Sequence, residues 1–283
     1  KITEEALLII ETKELKSVDE FTGMLLNFQN FFTLCISKNI GLNEIRFKNK
    51  ELNELPWLYY FKRQIFVEET RDFIHDYEMM MPYEEIKDDI ASVIKNWMKF
   101  SLKLPAISLY FDVWYFPKAK PVNQFLNLVF ALETMHRTSS MGDLKLAPKV
   151  FKKLVDDILS IVSEEDKSWL SQKLAYMNDP TLKDRLQDIL RNYKDIIGEF
   201  VPNETLFVKK VANTRNYYVH YDDKLKSKVI KPHEFLLYNK VLKVIIEAYV
   251  LKLLGLKDEQ VFKMIRKPFV NRHCLADVKK YLN

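Results

Sequence analysis

The chain has 283 residues, 48% hydrophobic and 29% charged, with a formal net charge of +5, enough to bury one large core or two smaller ones. Its 5 glycines, at positions 23, 41, 142, 198 and 255, stand too far apart for a Gly-rich phosphate loop, which needs backbone without Cβ against the ligand. That argues against Walker-type nucleotide hydrolysis and a Rossmann site, and the long breaker-poor runs of Leu, Lys, Glu, Ile and Met argue against an all-β fold.

The first third mixes element types. Glu5–Thr12 is short, apolar and β-compatible; Val18–Asn39 has helical periodicity; Asn43–Lys48 and Trp57–Val67, rich in aromatic and β-branched residues, read as strands. Glu84–Leu102 bridges into a second part in which prolines from Pro82 to Pro268 punctuate helical patterns, with the clearest break at Pro117–Pro121. In Val122–Ser139 the apolar residues Phe125, Leu128, Val129, Leu132 and Met135 repeat at helical spacing. Ala147–Val162, Glu164–Met177 and Thr181–Gly198 supply further amphipathic helices. Asn203 or Thr205 caps a helix to about Tyr221, and His233–Leu254 forms a long apolar helix closed by Gly255. The expected fold is mainly α, a C-terminal helical unit behind a small α/β segment. A chain starting at Lys1 rather than Met is expected to begin inside a longer protein.

Cys35 and Cys274 lie far apart and form no C-x-x-C pair, so neither a disulfide framework nor a zinc knuckle is suggested, and a reducing, cytoplasmic setting fits. The longest charge-free run, Phe21–Ser37, is 17 residues and carries Asn27, Gln29 and Asn30, which falls short of a membrane span. Charge is concentrated instead: Thr205–Lys231 holds seven cations against two anions, a local excess that attracts phosphates or simply solvates a helix face.

Within that stretch lies Asn213-Thr-Arg-Asn-Tyr-Tyr-Val-His220. Asn213, Asn216 and His220 share one helical stripe, whereas Arg215 and His220, five apart, point about 140° from one another on an ideal helix. Only a curling Arg215 side chain, a loosened last turn or a second subunit brings both onto one phosphate. The spacing Arg215-x4-His220, with polar Asn216 after the Arg, resembles the R-x(4-6)-H motif of HEPN domains. FLNLVFALETMHRTS, Phe125–Ser139, resembles the helix that opens the Apea-like branch of that family, found in bacterial anti-phage proteins.

The resemblance implies a HEPN helical bundle over 113–283, behind an α/β segment over 1–112 that is the C-terminal part of a larger N-terminal domain, with metal-independent endoribonuclease activity in anti-phage defence, no cofactor, and homodimers in which two motif helices line one cleft. It implies RNA as substrate, with activity released when a phage is sensed. The chemistry suits the residue types: His220 is assigned as general acid or base, Arg215 as the phosphate clamp, and Asn216 as the group orienting the imidazole or a phosphate oxygen. Lys209, Lys210 and Lys224 are assigned to flanking phosphates. A related toxin branch has Tyr two residues after the His, where this chain has Asp222 and carries Tyr221 beside the His instead. The rival reading is a non-catalytic helical module that binds RNA or protein. Asp72, Asp76 and Glu78 around His75 offer a metal-dependent alternative, and a solvated loop is the plainer view of them. His136 and Arg137 beside Glu133 read as an exposed face with a Glu133–Arg137 pair at i, i+4, with a contribution to the site as the alternative. The aromatic run Tyr110–Phe116 reads as core rather than as a base-stacking surface.

Overall fold

Local signals set the first helix. Ser17 forms a capping box with Glu20, whose carboxylate accepts the Ser17 N–H at 2.8 Å, and α1 runs Val18–Ile36 until Ser37 turns left-handed at φ 57°. This computed structural model describes residues 8–42, 45–47, 58–59, 74–101, 106–139 and 144–281. The chain is mainly α. Of the expected strands, Leu8–Thr12 is irregular, with residues 5–7 outside the described set. Arg46–Phe47 (β1) and Leu58–Tyr59 (β2) form one antiparallel pair with Arg46 opposite Tyr59, and most of the remainder of those two spans lies outside the described residues. The small α/β segment is therefore not established.

After α2 (Tyr83–Ile86), α3 (Ile90–Ser101) and α4 (Ala106–Tyr115) join α1 through aromatic rings. Trp97, on α3, stands edge-on to Phe111 of α4 at 6.1 Å and tilts against Phe31 of α1 at 5.5 Å, while its indole N–H donates to the Asn27 carbonyl at 3.1 Å. Tyr110 and Phe111 are buried, as the reading of that run as core requires, and Phe116 is exposed.

α5 (Pro121–Thr138) starts on a proline at its first position, where no N–H is needed, and buries all five of its helically spaced apolar residues. α6 (Pro148–Ser160) and α7 (Glu164–Leu174) pack on each other, and α6 buries no residue. Its periodic apolar face is only half-covered: Phe151, Val155, Ile158 and Leu159 are half-buried. The expected single helix over Thr181–Gly198 is two: α8 (Leu182–Asn192) and α9 (Lys194–Ile197) meet at Tyr193, which leaves helical geometry at φ −112°, ψ 15° and sets its ring 5.6 Å from that of Tyr249. Tertiary packing overrides a periodicity that local sequence alone would continue.

The remaining helices are α10 (Glu204–His220), α11 (Phe235–Leu253), α12 (Asp258–Met264) and α13 (Phe269–Tyr281). α11 is the axis of the bundle, with α5, α12 and α13 against it, and it is buried on nearly every side. It ends in a Schellman motif: Gly255 has φ 93°, the Leu256 N–H reaches the Leu251 carbonyl at 3.3 Å, and the Gly255 N–H reaches that of Lys252 at 3.0 Å. A Cβ at 255 would sit 3.2 Å from the Asn96 amide, which donates to the Leu254 carbonyl. Glycine is demanded there by both backbone and space.

Candidate functional site

α10 carries the motif, and its two halves differ. Asn203 caps it by accepting the Leu206 N–H at 3.0 Å, and Phe207, Val208, Val211 and Ala212 anchor its first turns against α8 and α5. Thr214, buried, donates to the Lys210 carbonyl at 2.7 Å while its hydroxyl oxygen accepts the Ile230 N–H at 2.8 Å. One hydroxyl thus ties the returning loop to the motif helix. Within that loop, Asp223–Lys228 forms a 3₁₀ turn whose Lys224 is exposed.

The apolar stripe ends before the motif does. Arg215 is half-buried, and its guanidinium turns to α5 and its own neighbour: one Nη donates to Glu133 Oε2 at 3.0 Å, the other to Asn216 Oδ1 at 3.1 Å. The Phe130 ring lies 5.7 Å from the guanidinium carbon. The Nε–H of Arg215 is buried without a hydrogen-bond partner. His220, in contrast, sits exposed in the last turn, and it has no hydrogen bond or ion pair with the described residues. One half of the pair is braced from behind, and the other is open to whatever arrives.

The remaining assigned residues divide the same way. Asn216 spends its carbonyl oxygen on Arg215, which leaves its amide NH2 for another partner. Lys209 and Lys224 are exposed, while Lys210 is tied to Glu234 at 2.8 Å with its ammonium 5.7 Å above the Tyr238 ring. Burial works to raise the Glu234 carboxyl, but hydrogen bonds from Lys210 and the Lys231 N–H outweigh it and hold the group below its ordinary value. Lys210 therefore serves the fold of the loop before it can serve a phosphate.

Behind Glu133 lies a charged group that sequence reasoning missed. Glu133 also accepts from Arg137 at 3.3 Å, and Arg137 approaches Asp179 at 3.9 Å. The Glu133–Arg137 contact is the expected i, i+4 pair, whereas His136, one turn of α5 away and expected on the same exposed face, is wholly buried. Its Nδ1 is 3.2 Å from a guanidinium nitrogen of Arg185 on α8. Arg cannot accept, so Nδ1 accepts and a neutral ring carries its proton on Nε2, which lies 3.4 Å from Asp188 without the alignment of a hydrogen bond. Burial first, and the Arg185 charge second, push the imidazole pKa down, against Asp188. His136 and Glu133 fall in the phrase Phe125–Ser139 that carries the resemblance, so that phrase was the available signal; their partners on α8 and α10 are distant in sequence and had none.

Among the described residues no group of three or more His, Cys, Asp or Glu is arranged to hold a metal ion; Asp72 lies outside them, and the His75 ring stacks on Tyr77 at 5.0 Å. Cys35 and Cys274 are free and buried, and burial pushes the Cys274 thiol up to about 12. No helix among the described residues is long and apolar enough to cross a membrane.

Residues 126–260 match the family described as Apea-like HEPN, a span that runs from α5 into α12 and contains Glu133, Arg185, Arg215 and His220. Residues 1–97 match ApeA N-terminal domain 1. Comparison with curated proteins and with solved structures gives no match. HEPN domains are in general ribonuclease-type domains that often dimerise and bind RNA, so the match supports a nuclease or defence role at that level. With two family matches in chain order and the Arg–His motif inside the second, residues 126–260 form a domain of the Apea-like HEPN family.

Proposed function

We propose that the protein is a metal-independent endoribonuclease that acts in anti-phage defence and cuts RNA by attack of a ribose 2′-OH on the adjacent phosphate. The observation that carries the reading is the contrast at the motif: a guanidinium held by Glu133 and Asn216, and an imidazole without a partner among the described residues at the exposed end of the same helix. Attack by the 2′-oxygen breaks the bond from phosphorus to the 5′-oxygen and leaves a cyclic phosphate and a 5′-hydroxyl. His220 takes the 2′-OH proton or delivers one to the leaving oxygen, because imidazole exchanges protons near neutral pH. Arg215 meets the charge that grows on the phosphate oxygens, using the N–H groups that Glu133 and Asn216 leave over.

A homodimer that apposes two α10 C-termini supplies an Arg from one subunit and a His from the other, and so resolves the angle of about 140° between them. Lys209 and Lys224 then hold flanking phosphates. The reading places the protein in the cytoplasm, with a phage-derived trigger releasing its activity.

A specific observation favours the rival non-catalytic module: Glu133 already neutralises Arg215. RNA degradation by purified protein in EDTA separates the two. Arg215→Ala and His220→Ala are each expected to lose at least about 100-fold in cleavage, His220→Ala with unchanged melting temperature and Arg215→Ala by far more than its unfolded fraction accounts for. Wild type that binds RNA and never cuts it, under any added trigger, establishes the module instead; cleavage that EDTA abolishes and His220→Ala spares points to metal chemistry.

A further inference from the structure

The residue after His220 is out of place for its backbone. Tyr221 takes the left-handed conformation, φ 53° and ψ 41°, as the C-cap of α10, and its N–H closes the helix on the Tyr217 carbonyl at 2.8 Å. Gly or Asn is the ordinary occupant of that position, since a Cβ crowds the following carbonyl. Among the described residues only Ser37 and Tyr221 hold a positive φ without being glycine. The ring so placed is 76% exposed, so core packing does not explain it.

What does hold it is a ladder of rings. Tyr221 lies 6.0 Å from Tyr217, Tyr217 stands edge-on to Tyr218 at 5.1 Å, Tyr218 meets Phe235 at 6.2 Å, and Phe235 meets Phe125 in the core at 5.5 Å. The ladder runs from the interior of the bundle to the surface and stops beside His220 with one aromatic ring largely uncovered. Immediately beyond it the 3₁₀ turn presents Lys224, Lys226 and Lys228 against Asp222 and Asp223, all exposed, and the Asp222 carboxylate accepts the Lys224 N–H at 3.1 Å, which leaves the turn net positive. An apolar ring at the edge of a cationic turn suits a partner with flat π-faces on an anionic backbone, which is single-stranded nucleic acid.

We infer that Tyr221 is the stacking platform for an unpaired RNA base next to the scissile phosphate, and that it makes the site selective for single-stranded RNA. The inference rests on the RNA-cleaving reading for its substrate, but its test does not. A base must leave its helix to lie on the ring, so paired RNA forfeits the contact. Every base has a π-face, so the platform selects strandedness and not sequence.

The test is binding of a 2′-O-methyl single-stranded oligonucleotide, which cannot be cut, measured by fluorescence anisotropy beside a hairpin of the same composition. Tyr221→Asn, whose side chain suits the left-handed backbone, is expected to weaken single-strand binding about tenfold while leaving hairpin binding unchanged. Its melting temperature should hold or rise. Tyr221→Phe keeps the ring and should bind as wild type does. Moving one abasic site along the oligonucleotide should find a position at which the Tyr221→Asn effect disappears. Equal affinity of Tyr221→Asn and wild type overturns the inference, as does a loss in Tyr221→Phe as large as in Tyr221→Asn. Dissociation of a dimer in Tyr221→Asn with RNA affinity per dimer unchanged also overturns it, and marks the ring as a subunit contact. Wild type that stacks the oligonucleotide on Tyr221 and cuts no RNA refutes the nuclease alone; wild type that cuts RNA with Tyr221→Asn equally active refutes the platform alone.

Discussion

α10 and α11 lie in the same bundle and both carry charge into it, yet they treat it oppositely. On α11, Glu247 is enclosed: Tyr110 donates to one carboxylate oxygen at 2.9 Å and Asn271 to the other at 2.8 Å, while Lys243 lays its ammonium 3.4 Å over the Trp114 ring. Burial first, and Lys243 against it, leave the Glu247 carboxyl raised, and burial lowers the Lys243 ammonium. Every carboxylate oxygen there has a donor, and the group serves to hold α4, α11 and α13 in register. On α10, Arg215 keeps an unpartnered N–H and His220 has no partner among the described residues. A charge closed on all sides is structural; a charge braced on one side keeps capacity for a ligand.

Breaking the closed group should give the largest effect on stability. Glu247→Ala strands Lys243, Tyr110 and Asn271 and should cost about 3–5 kcal/mol in denaturant unfolding, with RNA cleavage per folded molecule unchanged. A loss below about 1 kcal/mol would erase the distinction between the two helices. Glu133→Gln should do the reverse. Stability falls by about 1–3 kcal/mol at most, because the bonds from Arg215 and the exposed Arg137 lose the carboxylate charge but keep an acceptor, whereas cleavage falls more than the unfolded fraction accounts for as Arg215 loses its brace. Unchanged cleavage in Glu133→Gln shows that the ion pair only joins α5 to α10.

The buried imidazole sharpens the comparison through pH. His136 has its folded pKa below the ordinary 6.5, so the folded state takes up its proton later than the unfolded chain does. Its stabilisation is therefore complete above 6.5 and is lost as pH falls through the folded value. Wild type should lose stability on acidification below 6.5 more steeply than His136→Gln, which cannot titrate; parallel curves would show that Arg185 and Asp188 do not hold the ring neutral. The smallest effects belong to the exposed cations. Lys209→Ala and Lys224→Ala should each lower the salt dependence of RNA binding by about one unit of log–log slope with no change in melting temperature. Lys210→Ala should instead cost about 1 kcal/mol or less of stability, because it unties Glu234.

Much of the motif helix could be read before the fold was known. Asn203 at its start and the polar turn ending at His220 are local signals, each decided within a few residues. The same holds for the five buried residues of α5 and for Gly255. The bracing of Arg215 was not legible, since Glu133 lies 82 positions away and an i, i+4 neighbour, Arg137, offered it a nearer partner. Nor was the burial of His136, whose partners Arg185 and Asp188 sit on another helix. α6 is the amphipathic helix its pattern predicts, but how far its apolar face is covered was not legible: it is half-buried and no residue of it is fully buried.

Helix positions, caps and the Arg–His spacing follow from the order of residues, because hydrogen bonds within a helix and the period of its apolar side chains act over three or four positions. Which guanidinium is held and which imidazole stands open, and where a tyrosine is forced into a left-handed turn beside it, depend on α5, α8 and α10 meeting in space. Those meetings are set by side-chain volume and by the requirement that each buried charge find a partner, which no local pattern encodes.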